Sequence, residues 1–138
     1  MKQETKRAKE LLENGDSTLV LCSKTEVLTS RERGVKTLLT FVREKRSFEG
    51  LCAADKAIGK GAAALICLLK IKEVYTPLIS EGARSLLEEN KVAVFFDAEV
   101  KNIINRKGDG ICPVESALGE ERDLSACLEI IKNLLSII

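Results

Sequence analysis

Eleven consecutive positions, Asn105-Arg106-Lys107-Gly108-Asp109-Gly110-Ile111-Cys112-Pro113-Val114-Glu115, bring together a thiol, a carboxylate, a helix-starting proline and a polar glycine loop. A proline directly after Cys112 and before Val-Glu-Ser-Ala-Leu marks a first helical turn, where its missing N–H is not needed. Cys112 then falls at the N-cap, where free backbone N–H groups and the positive helix end favour a thiolate. Glu115 falls at the third helical position and can face the same way. Residues of these types at this spacing suit an anion site, a metal site, or a nucleophilic thiol with Glu115 as acid/base. The chain has no histidine, so imidazole is excluded as ligand, base or pH switch.

A second group precedes it in the chain. From Asp55 to Lys70 the pattern is apolar nearly all round, broken by Lys56, Gly59, Lys60 and Gly61, as in a helix buried on most sides. Asp55 can cap that helix, its carboxylate accepting orphan N–H groups. If the start of this helix and the start of the Cys112 helix open onto one pocket, Lys56 and Lys60 add positive charge at i and i+4. The ordinary alternative for both lysines is to snorkel to solvent. Gly59 and Gly61 either allow close packing, the expected use, or let a ligand reach the backbone. Gly59-Lys60 is not a phosphate loop, because Ala54 and Gly61 stand where that motif needs Gly and Ser/Thr.

The elements that must position these residues follow from periodicity. A first helix over 4–13 has Ala8, Leu11 and Leu12 on one side and stops at Asn14-Gly15. Ser17–Cys22 and Thr25–Thr29 read as two strands of a hairpin. Ser30 is expected to cap a helix carrying Val35, Leu38, Leu39 and Val42 at i, i+3, i+4 and i+7. Glu73–Thr76 is a third strand that Pro77 should end, and Ser80 caps a short helix stopped by Asn90. Val92–Phe96 is a fourth strand. Apolar strands alternating with helices predict parallel βαβ connections. Gly119 ends the Cys112 helix, and Asp123 caps a last one with Leu124, Cys127, Leu128, Ile131, Leu134, Leu135 and Ile138 on its apolar stripe. The expectation is a single α/β domain over 1–138, with its core in 16–119 and a C-terminal amphipathic helix over 123–138. Its architecture is a three-layer α-β-α sandwich around a mixed sheet.

Composition narrows the function. The 138 residues are 45% hydrophobic, with 22 Lys+Arg against 21 Asp+Glu and a net charge of +1. That balance gives no strong nucleic-acid signal, and the lack of Trp with only four Phe and one Tyr disfavours a base-stacking surface. The longest apolar run, near Gly61–Leu69, is too short to span a bilayer, so no membrane association is expected. With no secretory signal pattern, the expected location is cytoplasmic. Five scattered cysteines argue against a disulfide framework. Cys22, Cys67 and Cys127 lie in apolar runs and read as small core hydrophobes.

The order hairpin, buried helix, strand, helix, strand resembles the cytidine-deaminase-like fold. Asp55-Lys-Ala-Ile-Gly59-Lys60-Gly-Ala62-Ala-Ala64, followed by Asn105-Arg106, Gly110 and Cys112-Pro113-Val114-Glu115, looks like a small prokaryotic family of unknown function grouped with that superfamily. The likeness spans roughly 16–119. Two convergent helix starts beside a polar glycine loop suggest a site for a small anionic or nucleotide-like ligand on such a domain, with Cys112, Glu115 and Asp55 as the chemical groups. Lys56, Lys60, Asn105, Arg106 and Gly110 would be the ligand-binding ones. Zinc deaminases place Cys or His, then Glu two residues on, and Pro-Cys-x-x-Cys at the next helix. Here Cys52-Ala53-Ala54 lacks that glutamate, Glu115 replaces the second cysteine, and Pro113 follows Cys112. No cofactor is therefore expected. A zinc ion held by Cys112 and Glu115 with Asp55 or Cys52 would have a non-standard ligand set. Three functions compete: a small-molecule binder for an anionic or nucleotide-like ligand, an enzyme using Cys112 and Glu115, and a homodimeric interaction module joined through the last helix.

Overall fold

A computed structural model describes residues 1–32, 34–105 and 107–136. Among these, the order of elements is α1 (Gln3–Glu13), β1 (Leu19–Cys22), β2 (Val27–Ser30), α2 (Lys36–Arg43), β3 (Cys52–Asp55), α3 (Lys60–Leu68), β4 (Glu73–Ser80), α4 (Glu81–Glu89), β5 (Ala93–Val100), α5 (Pro113–Leu118) and α6 (Leu124–Ser136). The sheet runs β2-β1-β3-β4-β5. β1 is antiparallel to both β2 and β3, whereas β3, β4 and β5 are parallel. The result is a mixed five-stranded α/β fold. Among the described residues no helix is long and apolar enough to cross a membrane.

Alternation along the strands separates two apolar layers. Val20, Cys22, Ala54 and Tyr75 face α1, whose Ala8 and Leu12 are buried against them. Leu19, Leu21, Ala53 and Val74 face the other way, under α2, α3, α4 and α6. Cys127 and Ile131 of α6 are fully buried there, with Leu124, Leu128, Ile130 and Leu135 packed beside them. The stripe of α6 thus covers the chain's own core. Ile137 and Ile138 lie outside the described residues.

Three local expectations are corrected. Asp55 ends a strand over 52–55 and does not start the helix expected from it: Cys52 pairs with Cys22 and Glu73, and Asp55 with Leu19. The alanines favour helix locally, but the slot between two strands prevails. The helix starts only at Lys60, after an extended Gly59, so Asp55 caps nothing. Second, β4 passes through Pro77, because the pairs Thr76–Phe96 and Leu78–Ala98 hold β4 and β5 in register across it. Third, Ser30 ends β2 and does not cap α2. Val35 takes that place without a side-chain cap, while Ser30 Oγ bonds Thr37 Oγ1 at 2.7 Å.

The ends of α2, α3 and α4 share one motif. In each, two backbone bonds close the last turn: Lys45 and Arg46 to Val42 and Phe41, Lys70 and Ile71 to Cys67 and Ile66, Lys91 and Val92 to Glu88 and Leu87. This is the Schellman pattern, whose left-handed position usually holds glycine. Here it holds Lys45, Lys70 and Lys91, at φ 57, 62 and 63°. Each seat costs a lysine about 1 kcal/mol relative to glycine.

Candidate functional site

The start of α5 is built as its sequence predicts. Cys112 is the N-cap and Pro113 follows at the first helical position, with no side-chain cap. The Cys112 amide donates to Ile103 O at 2.8 Å, leaving the half-buried thiol on a cavity wall. Gly119 ends the helix at φ 49°.

Glu115 is 8% exposed, and its carboxylate is fully engaged. Oε1 accepts the Lys60 amide at 3.1 Å and the Ser80 hydroxyl, and Oε2 accepts the Ile103 amide. Ser80 Oγ in turn accepts the Ala83 amide at 3.3 Å, capping α4. One side chain of α5 therefore fastens the starts of α3 and α4 and the segment leading to the polar loop. A carboxylate against the first N–H of α3 also opposes that helix's dipole. The acid/base role expected for Glu115 meets oxygens already occupied by three donors.

A cavity of about 390 Å³ lies beside it, lined by Asp55, Lys56, Gly59, Gly61, Asn105, Cys112 and Glu115 together with the apolar Leu19, Val35, Ala62, Ile103 and Val114. The start of α3 and the start of α5 do open onto one space. Asp55, at the end of β3, is half-buried. Burial pushes its carboxyl up to about 7, and the Ala57 and Lys56 amides offset only part of that. Lys56 is exposed on the cavity wall. The amides of Gly61 and Ala62, in the first turn of α3, find no acceptor among the described residues.

Lys60 is placed differently from the expectation. It is 4% exposed, and its ammonium donates to Gly119 O at 2.6 Å, closing α5 from behind instead of lining the cavity. It forms no i,i+4 pair with Lys56 on a helix, because Lys56 precedes α3. Asn105 lines the cavity. Its amide donates to Gly110 O at 2.8 Å, and its side chain bonds Asp109 Oδ1 at 3.0 Å. Gly110 thus supports the loop from outside the cavity wall, and Arg106 lies outside the described residues. Thr18, Glu32 and Thr37, also on the wall, were not marked by the sequence. They form their own cluster, with the Thr18 hydroxyl 2.6 Å from Glu32 O and the Thr37 hydroxyl 2.6 Å from Glu32 Oε1. No motif announces them, because they meet only when the hairpin and α2 fold together.

The donor set does not fit a zinc ion. Cys52 is fully buried on the α1 side of the sheet, where its thiol meets Thr5, so it cannot join Cys112. Among the described residues, no three His, Cys, Asp or Glu are arranged to hold a metal. Burial raises the thiols of Cys22, Cys52 and Cys127, and that of Cys67 to about 12, as suits unreactive core cysteines.

Gly61 has a packing reason. A Cβ there would lie 2.4 Å from Val114 Cγ1, so α5 reaches α3 only over a bare backbone. Alanine normally stabilises a helix interior by about 1 kcal/mol over glycine. Gly61→Ala should instead destabilise by about 1–3 kcal/mol in urea melts, and Val114→Ala in the same chain should recover most of it. A stabilised single variant would refute the contact.

Fold and site together define a mixed α/β domain with a small-molecule-sized cavity at the carboxyl end of a parallel strand. The chain belongs to the family described as Domain of unknown function (DUF1893), which it matches over residues 7–135. The crystal structure of a DUF1893 family protein (TM1506) from Thermotoga maritima at 2.70 Å resolution is similar to it at a TM-score of 0.86 and 25% identity, covering 100% of this chain and 92% of that one. No curated protein matches the chain.

Proposed function

We propose that this chain is a binding domain on a cytidine-deaminase-like scaffold, holding a small nucleotide-like ligand without that superfamily's zinc chemistry. The observation that carries the reading is the shared cavity, onto which the end of β3, the start of α3 and the start of α5 all open. Three features support it. The β2-β1-β3-β4-β5 order, with its antiparallel hairpin and parallel remainder, suits the scaffold. The volume of about 390 Å³ falls in the range of small-ligand sites, and apolar walls with a few convergent polar groups are their usual lining. The open amides of Gly61 and Ala62, with Lys56 nearby, suit an anionic group, and Leu19, Val35, Ile103 and Val114 suit a ring. Five free thiols fit a cytoplasmic setting. The enzymatic alternative keeps the Cys112 thiol on the wall but lacks a free base in Glu115.

Isothermal titration against nucleoside monophosphates and the corresponding nucleosides tests the proposal. At least one nucleotide should bind, and Lys56→Ala should weaken it about tenfold or more while changing the nucleoside little, as expected for a partly desolvated ion pair. Ala62→Leu, with the fold checked by circular dichroism, should abolish both. Silence across the whole panel would overturn the reading.

A further inference from the structure

The three left-handed lysines lie at one end of the molecule, the end where β3, β4 and β5 begin. Backbone bonds from Phe48 to Leu69 (2.7 Å), Lys72 to Leu51 (3.1 Å) and Ala93 to Lys72 (3.1 Å) lash the turns after α2, α3 and α4 side by side. Several acids of this end are held by cations, Glu44 by Arg46, Glu49 by Lys70 and Glu89 by Arg122, while Glu88 shares Arg84 with Glu99 and Glu73 accepts the Lys2 amide. Arg43, Lys45, Lys72 and Lys91 are exposed and have no carboxylate partner among the described residues. Arg46 is held over the Phe41 and Phe48 rings, at 4.8 and 5.0 Å. The net charge of +1 is thus compatible with a group of unpaired cations at these turns, while Glu32, Asp55 and Lys56 share the cavity wall.

A lysine near a helix C-terminus offsets the dipole, but it can do so from the last helical turn without a strained backbone. Three strained seats, all at one end and all cationic, ask for a reason beyond the dipole. We propose that this end docks on the phosphate backbone of nucleic acid, independently of the cavity. Among the described residues the turns themselves expose no large apolar side chain, and Met1, whose neighbour Lys2 meets Glu73, is the one exposed apolar residue bordering them, too little to insert into a bilayer. Among the described residues no exposed ring is present to stack on bases, so recognition is of the backbone and indifferent to sequence.

The test is fluorescence anisotropy of a short labelled DNA duplex of arbitrary sequence, titrated with the full chain between about 50 and 200 mM salt. Four released counterions predict a log K against log salt slope of about −3 to −4. The triple variant Lys45→Gly, Lys72→Gln, Lys91→Gly should lose more than about tenfold in affinity at the lower salt and flatten the slope by about 2 to 3. Its melting temperature should hold or rise, because two strained seats are relieved, so lost binding cannot be blamed on lost fold. Lys45→Arg with Lys91→Arg should bind like the parent. The proposal fails if the parent does not bind the duplex at low salt, or if the triple variant binds with the same slope. It fails equally if the chain binds phosphatidylserine vesicles and ignores the duplex.

Discussion

Replacing Glu115 by alanine is expected to lower the unfolding free energy by about 3–5 kcal/mol, a large share of the roughly 5–15 kcal/mol a domain possesses. The size follows from what the side chain holds. Three donors converge on it, the Lys60 and Ile103 amides and the Ser80 hydroxyl, at a position only 8% exposed. Truncation leaves each donor desolvated and unpaired, at about 1–3 kcal/mol apiece, eased where water enters the space. Glutamine is not a rescue. Its NH₂ replaces one acceptor oxygen and must face a donor, so Glu115→Gln should fall between the parent and the alanine variant. Ser80→Ala removes one of the three donors and should cost about 1 kcal/mol. Urea denaturation with compared m-values decides the matter. If Glu115→Ala shifts the midpoint no more than Ser80→Ala, the carboxylate is not the hub that its contacts make it.

The same network shows which parts of the structure the sequence made legible. Signals that act within one turn of chain were readable: Pro113 after the Cys112 cap, Ser80 before α4, Asp123 before α6, and Gly119 after α5. Each works through its own backbone neighbours, so the sequence carries cause and effect together. Glu115 also stood out by type and spacing, but its partners lie 55, 35 and 12 positions away. No local pattern tells a carboxylate that will meet three donors from one left free for chemistry. Lys60 failed similarly, since the Gly119 carbonyl that holds it is 59 residues distant. Cys52–Asp55 was unreadable for a different reason. Two alanines carry no strand preference, and only the flanking β1 and β4 make a strand of them. That the starts of α3 and α5 open onto one cavity follows from topology, because parallel βαβ units bring strand ends and helix starts to one side of the sheet.

Asp55→Asn is expected to stabilise the ligand-free protein above neutral pH and to leave it nearly unchanged near pH 4. The carboxyl is raised from 3.8 to about 7 by burial on the cavity wall. Between those values the folded chain keeps a proton that the unfolded chain has released. Its stability therefore falls as pH climbs through that window and stays low above it. The full shift would correspond to about 4 kcal/mol, but the group is partly open to water, so about 1–3 kcal/mol is the expected gain at pH 8. For a domain of this size that is a rise in melting temperature of about 5 °C. Melts at several pH values should show the parent declining from acid toward neutral and the Asn variant declining less. Parallel curves would mean that Asp55 is solvated and outside the cavity's electrostatics. Affinity for the nucleotide-like ligand proposed above should follow the same proton. A phosphate placed near Asp55 binds more tightly below pH 7, where the carboxyl is neutral, and loosens as it ionises. A ligand presenting N–H donors to Asp55 does the reverse. The sign of that slope would show which end of the proposed ligand lies against β3.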